Sequence, residues 1–337
     1  MRNDSQNVSL PSIGVTDVQA RRPETRISLS RVGVCGIEKI IRVRADGSDQ
    51  LYHAELECYV DLNPEQAGVH MSRFQEVTNE AIDAVIMGEA FKAETLAARI
   101  AERIRRRQAG LRAEVTIRAR YPEHKLTPIT RKQTQELYTL IGTAVASERG
   151  LRRLIGVEAQ GMTACPCAQE LVTDSARERL GAEGFTDDEI ERVLEAVPVA
   201  THNQRGIGTL YLGCPEGCDL DVRAETLLRI VEESMSSEIF ELMKRPDERA
   251  VVEKAHSRPR FVEDCVREMI RGVLGAFPEL DHEVFVLARQ ENLETIHQHN
   301  VVAERYGLLR ELRDELETDA HSRHHMTMRE WLEASAA

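Results

Sequence analysis

Long apolar runs are missing from this chain: no stretch reaches the roughly 18 apolar residues that a membrane-crossing helix needs. Residues 1–30 also lack the apolar segment that directs secretion. We therefore expect neither a membrane protein nor a secreted one, and place the chain in the cytoplasm. Lysine is scarce, supplying six of the 44 basic residues, and 57 acidic residues bring the formal net charge to −13. That sign disfavours a general nucleic-acid-binding surface and leaves room only for a local basic pocket. The same acidic, arginine-rich balance is compatible with a high-salt cytoplasm. Seven cysteines in 337 residues are too few for a disulfide-built scaffold. Their odd number leaves at least one thiol outside any intramolecular pair, which points to a reduced compartment with thiols free to act as ligands. No G-x-x-x-x-G-K-[ST] loop, G-x-S-x-G elbow, H-E-x-x-H pair or Rossmann fingerprint occurs. A nucleotide enzyme built on this chain needs some other architecture.

What is present is ordinary globular material, 42% hydrophobic and 30% charged, long enough for a sizeable core. Residues 1–25 are polar, hold Pro11 and Pro23, and read as a partly flexible arm. Residues 27–46 and Leu51–Leu62 read as two strands joined by an Asp46–Gly47 turn. A helical stretch follows from about His70 to Gln108, with Gly88 splitting it in two. Leu111–Ala119, Gln135–Ala146 and Leu151–Ala164 are strand candidates. A similar order returns in the second half. Ile207–Leu212 is strand-like, Ala224–Met243 and Arg260–Ala276 are helical, and His282–Gln290 with Leu293–His299 are strand material. The expected organisation is an arm over 1–25, a first module over 26–150 and a second over 151–303. A helical insert spans about 169–196 in the second module, and a helical extension covers 304–337, with Leu308, Leu309 and Leu312 on one face.

Several clusters carry donor chemistry. Gly161–Cys167 ends on Cys165-Pro166-Cys167, two thiols at the end of a strand, where thiolate sulfur suits Zn²⁺ or Fe(II); structural thiols are the alternative. His202-Asn203-Gln204-Arg205-Gly206 offers an imidazole ligand and donors for a base edge or phosphate, or else a polar strand border. In Glu291–His299, strand alternation puts His297 and His299 on one face, as ligand and as proton carrier or as a surface pair. Lys244–Glu248 places a carboxylate beyond a proline break, and Phe261-Val262-Glu263-Asp264 opens a helix. There Glu263 either caps the helix dipole or accepts two N–H groups from a guanine-type ring. Cys214 and Cys218 read as flanking a turn rather than completing a four-thiolate site, and His321, His324 and His325 as a solvated surface.

Together with Gly68–Phe74, these strings stand in an order that resembles the type IB GTP cyclohydrolases, closest to their archaeal branch, over roughly residues 10–303. The resemblance implies an α+β tunnelling fold (T-fold): two tandem antiparallel sheet-plus-helix modules per chain, assembling into a barrel with active sites at subunit interfaces. It implies a metal held by Cys165, His202, Glu248 and His297, with Glu238 and Glu253 as nearby competitors of Glu248. Catalytic roles fall on Cys165, His202 and the proton carrier His299, and Cys167 is a further contact. Glu263 anchors guanine, and Arg205 and Gln204 bind substrate. The implied cofactor is Fe(2+), with Mn(2+) or Zn(2+) as substitutes. The implied substrate is GTP, and the implied assembly is a homodimer or higher homo-oligomer, without nucleic acid or membrane. The implied product is 7,8-dihydroneopterin 2′,3′-cyclic phosphate, or dihydroneopterin triphosphate if the chemistry is of the bacterial type. A nitrile reductase of the same fold and a non-catalytic metal-binding protein are the remaining readings. The long interval between Cys165 and His202 departs from the bacterial pattern, where the two motifs nearly touch.

Overall fold

The computed structural model describes residues 17–45, 48–84, 92–215, 222–318 and 322–334. Most of the expected arm, the Asp46–Gly47 turn, Gly88, Cys218 and His321 lie outside these. The first half runs β1 (Leu29–Ala45), β2 (Ser48–Leu62), α1 (Met71–Ala84), α2 (Ala93–Gln108), β3 (Arg112–Leu126) and β4 (Gln133–Ser147). The second half starts with β5 (Gly150–Ala164), the helical pair α3 (Pro166–Ala182) and α4 (Asp187–Ala196), and β6 (Asn203–Cys214). It continues with α5 (Ala224–Ser234), β7 (Ser237–Glu238), α6 (Arg245–Ser257), α7 (Val262–Ala276), β8 (Phe285–Leu293) and β9 (Val301–Leu308). Two helices close the chain, α8 (Leu309–Thr318) and α9 (Met328–Glu333).

The expectation of two tandem sheet-plus-helix modules assembling into a barrel is corrected. All the strands join one antiparallel sheet in the order β1-β2-β3-β4-β5-β6-β8-β9, with the short β7 pairing β5. β4 and β5 pair from Thr139↔Glu158 to Ser147↔Gly150, so the halves are stitched together by a tight hairpin. Gly150 at its exit sits at φ +117°, a conformation open to glycine. The outermost strands β1 and β9 do not meet, and the sheet stays open.

Helices cover one face. Leu96, Ile100 and Ile104 repeat every four residues along α2 and are buried against the sheet. Gly142 permits that approach, because a Cβ there would stand 2.2 Å from the Ala93 carbonyl carbon. On the opposite face α9 inserts Trp331, 1% exposed, among Val145, Leu154, Phe285 and Leu308. Its indole N–H donates to the Glu283 carbonyl at 3.2 Å.

Three local differences have physical reasons. The helix expected over Ala224–Met243 stops at Ser234, whose hydroxyl donates to the Val231 carbonyl at 2.6 Å; the chain then extends to pair with Gly161 and Met162. The strand expected over Leu293–His299 stops at Leu293, where pairing with Arg205 ends. Residues 304–308, read as the start of the helical tail, instead belong to the edge strand β9, whose alternation is hidden among charged residues.

Candidate active site

Antiparallel pairing gathers the end of β5, the start of β6 and the end of β8 at one end of the sheet, through Ala164↔Asn203 and Arg205↔Leu293. Cys165 follows β5 directly and caps α3, with Pro166 in the first turn, where a missing N–H costs nothing. Its own N–H donates to the His202 carbonyl at 3.1 Å, and its carbonyl accepts from the Thr201 hydroxyl at 2.8 Å. The two residues are therefore neighbours although a helical hairpin separates them in sequence. Cys165 is half-buried and Cys167 is exposed.

The His202 side chain is only 13% exposed. Its Nδ1 stands 3.0 Å from Gln204 Oε1; where that amide oxygen accepts, the ring is the Nδ1-protonated tautomer with Nε2 bare. Glu294, with a side chain 5% exposed, brings Oε2 to 3.7 Å from the same Nδ1, and that buried oxygen has no hydrogen-bond partner. The loop carrying it is tied to β6 by the Thr295 hydroxyl, which donates to the Asn203 carbonyl at 3.1 Å. His297 meets His202 edge-on with ring centroids 6.3 Å apart, and stacks on His299 at 5.2 Å. The pairing expected from strand alternation thus arises in a bent loop instead.

Gln204 is buried and holds His202, while Arg205, the next residue along the strand, is exposed on the other face. The start of α7 lies against the end of β5, since the Arg260 N–H donates to the Ala164 carbonyl at 2.9 Å; Glu263, on its first turn, is exposed. Glu248 is exposed on the first turn of α6. Its neighbour Asp247 is fully buried and accepts from Ile129 N (2.9 Å), Thr130 N (2.8 Å), Thr130 Oγ1 (2.5 Å) and Lys244 N (3.0 Å). Burial alone would raise the Asp247 pKa, but the bonds from Thr130, Lys244 and Ile129 hold it well below the usual carboxylate range. The far end of α6 is linked to the site by Gln169, whose amide donates to the His256 carbonyl at 2.6 Å and the Val199 carbonyl at 2.7 Å. Of the competing carboxylates, Glu238 is held by Lys254 at 2.6 Å and Glu253 stands near Arg249.

Cys165, His202 and His297 are thus brought to one end of the sheet with His299, while no hydrogen bond or ion pair among the described residues joins Glu248 or Glu263 to them. Nor do the described residues contain a group of three or more His, Cys, Asp and Glu side chains gathered closely enough to hold an ion. A thiol sulfur and imidazole nitrogens are nevertheless donors of the kind a divalent transition metal takes. Sequence reading passed over Glu294. Its signal was its place three residues before His297, at the end of β8.

A family model described as "Type I GTP cyclohydrolase folE2" matches residues 15–303. The GTP cyclohydrolase MptA of Methanococcus maripaludis (strain C6) is 41% identical over 310 residues, covering 90% of this chain and 98% of its own length. That of Methanocaldococcus jannaschii is 39% identical, covering 89% and 97%. Among solved structures, uricase from Arthrobacter globiformis superposes with a TM-score of 0.53 at 8% identity, covering 89% of this chain and 98% of that one. This likeness bears on the fold alone. Among the described residues no helix is long and apolar enough to cross a membrane. The chain belongs to the type I GTP cyclohydrolases, in the archaeal MptA family, and is an enzyme of that family.

Proposed function

We propose that this enzyme opens the imidazole ring of GTP by water attack at C8 and releases C8 as formate. The products would be 7,8-dihydroneopterin 2′,3′-cyclic phosphate and diphosphate, in an early step of pterin biosynthesis leading to tetrahydromethanopterin or folate. One observation carries the reading: Cys165 is bonded to His202, whose Nδ1 is committed to Gln204, beside the unpartnered carboxylate of Glu294.

Cys165, His202 and His297 would hold the ion, Fe(II) by preference, with an oxygen donor from Glu248. Held there, it would make hydroxide available near neutral pH. Gln204 and Glu294 fix the His202 ring so that one nitrogen faces the reaction. Glu263 accepts the N1 and N2 protons of guanine and sets C8 toward His202, and Arg205 binds substrate. His299, stacked on His297, takes the proton from the attacking water and returns it to N9 as the C8–N9 bond breaks. A second water then hydrolyses the formamide, and dihydropterin ring closure returns one water. The net reaction consumes GTP and one water. Attack of a ribose-derived hydroxyl on the α-phosphate expels diphosphate and closes the cyclic phosphate.

We place the working site at an interface between copies of the chain. Glu248, Glu263, His297 and His299 are all exposed, as groups awaiting a covering surface would be. An anaerobic assay with Fe(II) and GTP, following formate and resolving products by mass spectrometry, tests the reading. Formate with the cyclic phosphate is expected. Formate with dihydroneopterin triphosphate would overturn the product, and no formate from folded, metal-loaded protein would overturn the reaction.

A further inference from the structure

A cavity of about 780 Å³ lies in the seam between the two halves of the chain, apart from the residues just described. The end of β3 and the β3–β4 turn wall one side, and α5, β7 and α6 wall the other. It opens on the β4 and β7 side of β5, whereas His202 and His297 lie on the β6 and β8 side.

Its polar floor is organised. Glu232, 5% exposed, accepts from the Tyr138 hydroxyl at 2.7 Å through one oxygen and is held by Lys125 through the other. Beside it Glu123 presents a buried Oε2 with no hydrogen-bond partner, an acceptor that a ligand N–H would satisfy. Leu126, Pro128, Phe240 and Val251 supply apolar wall. Lys254 is already committed to Glu238. Arg131 and Arg229 also line the cavity, and neither has a carboxylate partner among the described residues. Arg131 sits at φ +54°, a conformation strained for a non-glycine residue and kept only where surroundings enforce it. Here they do: the Thr127 N–H donates to the Lys132 carbonyl at 2.9 Å, and buried Asp247 accepts both adjacent N–H groups, from Ile129 and Thr130.

An unfilled acceptor inside, apolar walls and two uncommitted guanidiniums at the rim are the complement of a flat ring with N–H donors carrying phosphate. We propose that this cavity is a second, non-catalytic site for such a molecule, a purine or pterin bearing phosphate, with the ring on Glu123 and the phosphate on Arg131 and Arg229. The choice of ligand class rests on the reaction proposed above, whose substrate and product both have this form. α6 lines the cavity through Val251 and Lys254 and carries Glu248 on its first turn, so an occupant bears on the helix that holds a candidate ligand.

The test counts GTP bound to full-length protein carrying Cys165→Ala, which prevents turnover. Two GTP per chain are expected. Adding Arg131→Gly and Arg229→Ala should weaken one of them at least tenfold and leave the other; glycine suits the backbone of residue 131, and both side chains are exposed, so the fold is kept. Glu123→Gln should weaken GTP at that site while leaving inorganic triphosphate unchanged. Repeating the titration with the isolated reaction product shows which source binds tighter. One GTP per chain that is indifferent to the arginine changes overturns the proposal. So does loss of the only bound GTP on changing the arginines, since the cavity would then be the catalytic seat. The formate assay is independent of this count, so failure of the reaction and failure of the second site are separately visible.

Discussion

Replacing Glu294 with glutamine keeps the shape of a side chain that is 5% exposed and removes its charge. Two effects of opposite sign follow. In metal-free protein Glu294 Oε2 is buried without a hydrogen-bond partner, and leaving such a group unsatisfied costs about 1–3 kcal/mol, more when it is charged. The neutral amide relieves part of that cost, so the metal-free variant should melt no lower than the parent. Toward a cation the change is a loss. Partners that orient or support a ligating imidazole typically contribute 10–100-fold in metal affinity, equivalent to about 1.4–2.7 kcal/mol. The assay is paired: anaerobic titration with Fe(II) or Mn(II), and thermal melts with and without the ion. The stabilisation conferred by metal should shrink while the metal-free melting temperature holds or rises. A variant that melts lower without metal yet binds metal with unchanged affinity would show that Glu294 is a structural group and would refute the reasoning.

Asp247→Asn should lower stability at neutral pH. Because the folded pKa of Asp247 is depressed, its contribution is present above the unfolded carboxylate value and fades progressively as pH falls below about 4; the gap between denaturant melts of parent and variant should narrow steadily over that range. Gly142→Ala would drive a methyl into the backbone of Ala93 at 2.2–2.4 Å, which no rotamer can relieve, and should cost about 3 kcal/mol or more in a urea melt. Trp331→Ala removes the only tryptophan in the chain, buried under α9. Its cost should stay below the roughly 3–5 kcal/mol of a core Trp→Ala change, since the tail can undock, and hydrogen exchange should report loss of protection confined to residues 322–334.

Local chemistry was legible in the sequence where a pattern is local. The helical pair between Cys165 and His202 and the long alternating strands carry their own periodicity. What stayed hidden was decided by distant partners. Ser237 and Glu238 form a strand only because Gly161 and Met162 are there to pair with. Residues 304–308 are in a strand because β8 offers an edge, although their charged side chains read as a surface helix. The joining of the two halves depends on pairing between β4 and β5, which element order does not reveal. At the candidate site, Cys165, His202 and His297 were read as donors by residue type, and the fold brings them to one end of the sheet. Glu294 did not, because a glutamate becomes informative only once burial strips it of water and partners.

The hairpin between Cys165 and His202 poses the sharpest remaining question about this branch, and its geometry answers much of it. α3 has no buried residue, and Ile190 is the buried residue of α4, so the pair leans little on the body. Its two roots are clamped at the sheet by the bond from Cys165 N to the His202 carbonyl and by β5–β6 pairing up to Ala164↔Asn203. An insertion between clamped roots leaves Cys165 and His202 where a short turn would leave them. Closing a loop of about 36 residues in place of about four adds roughly 2 kcal/mol of entropy cost, which the internal packing of the hairpin and the Gln169 bonds offset. Excising residues 174–194 and bridging with a short Gly-Ser turn keeps Gln169 and both roots. The shortened chain should fold, bind metal within threefold of the parent and retain the Cys165–His202 bond as slow amide exchange. A folded variant that loses metal affinity tenfold would show instead that the hairpin shapes the site.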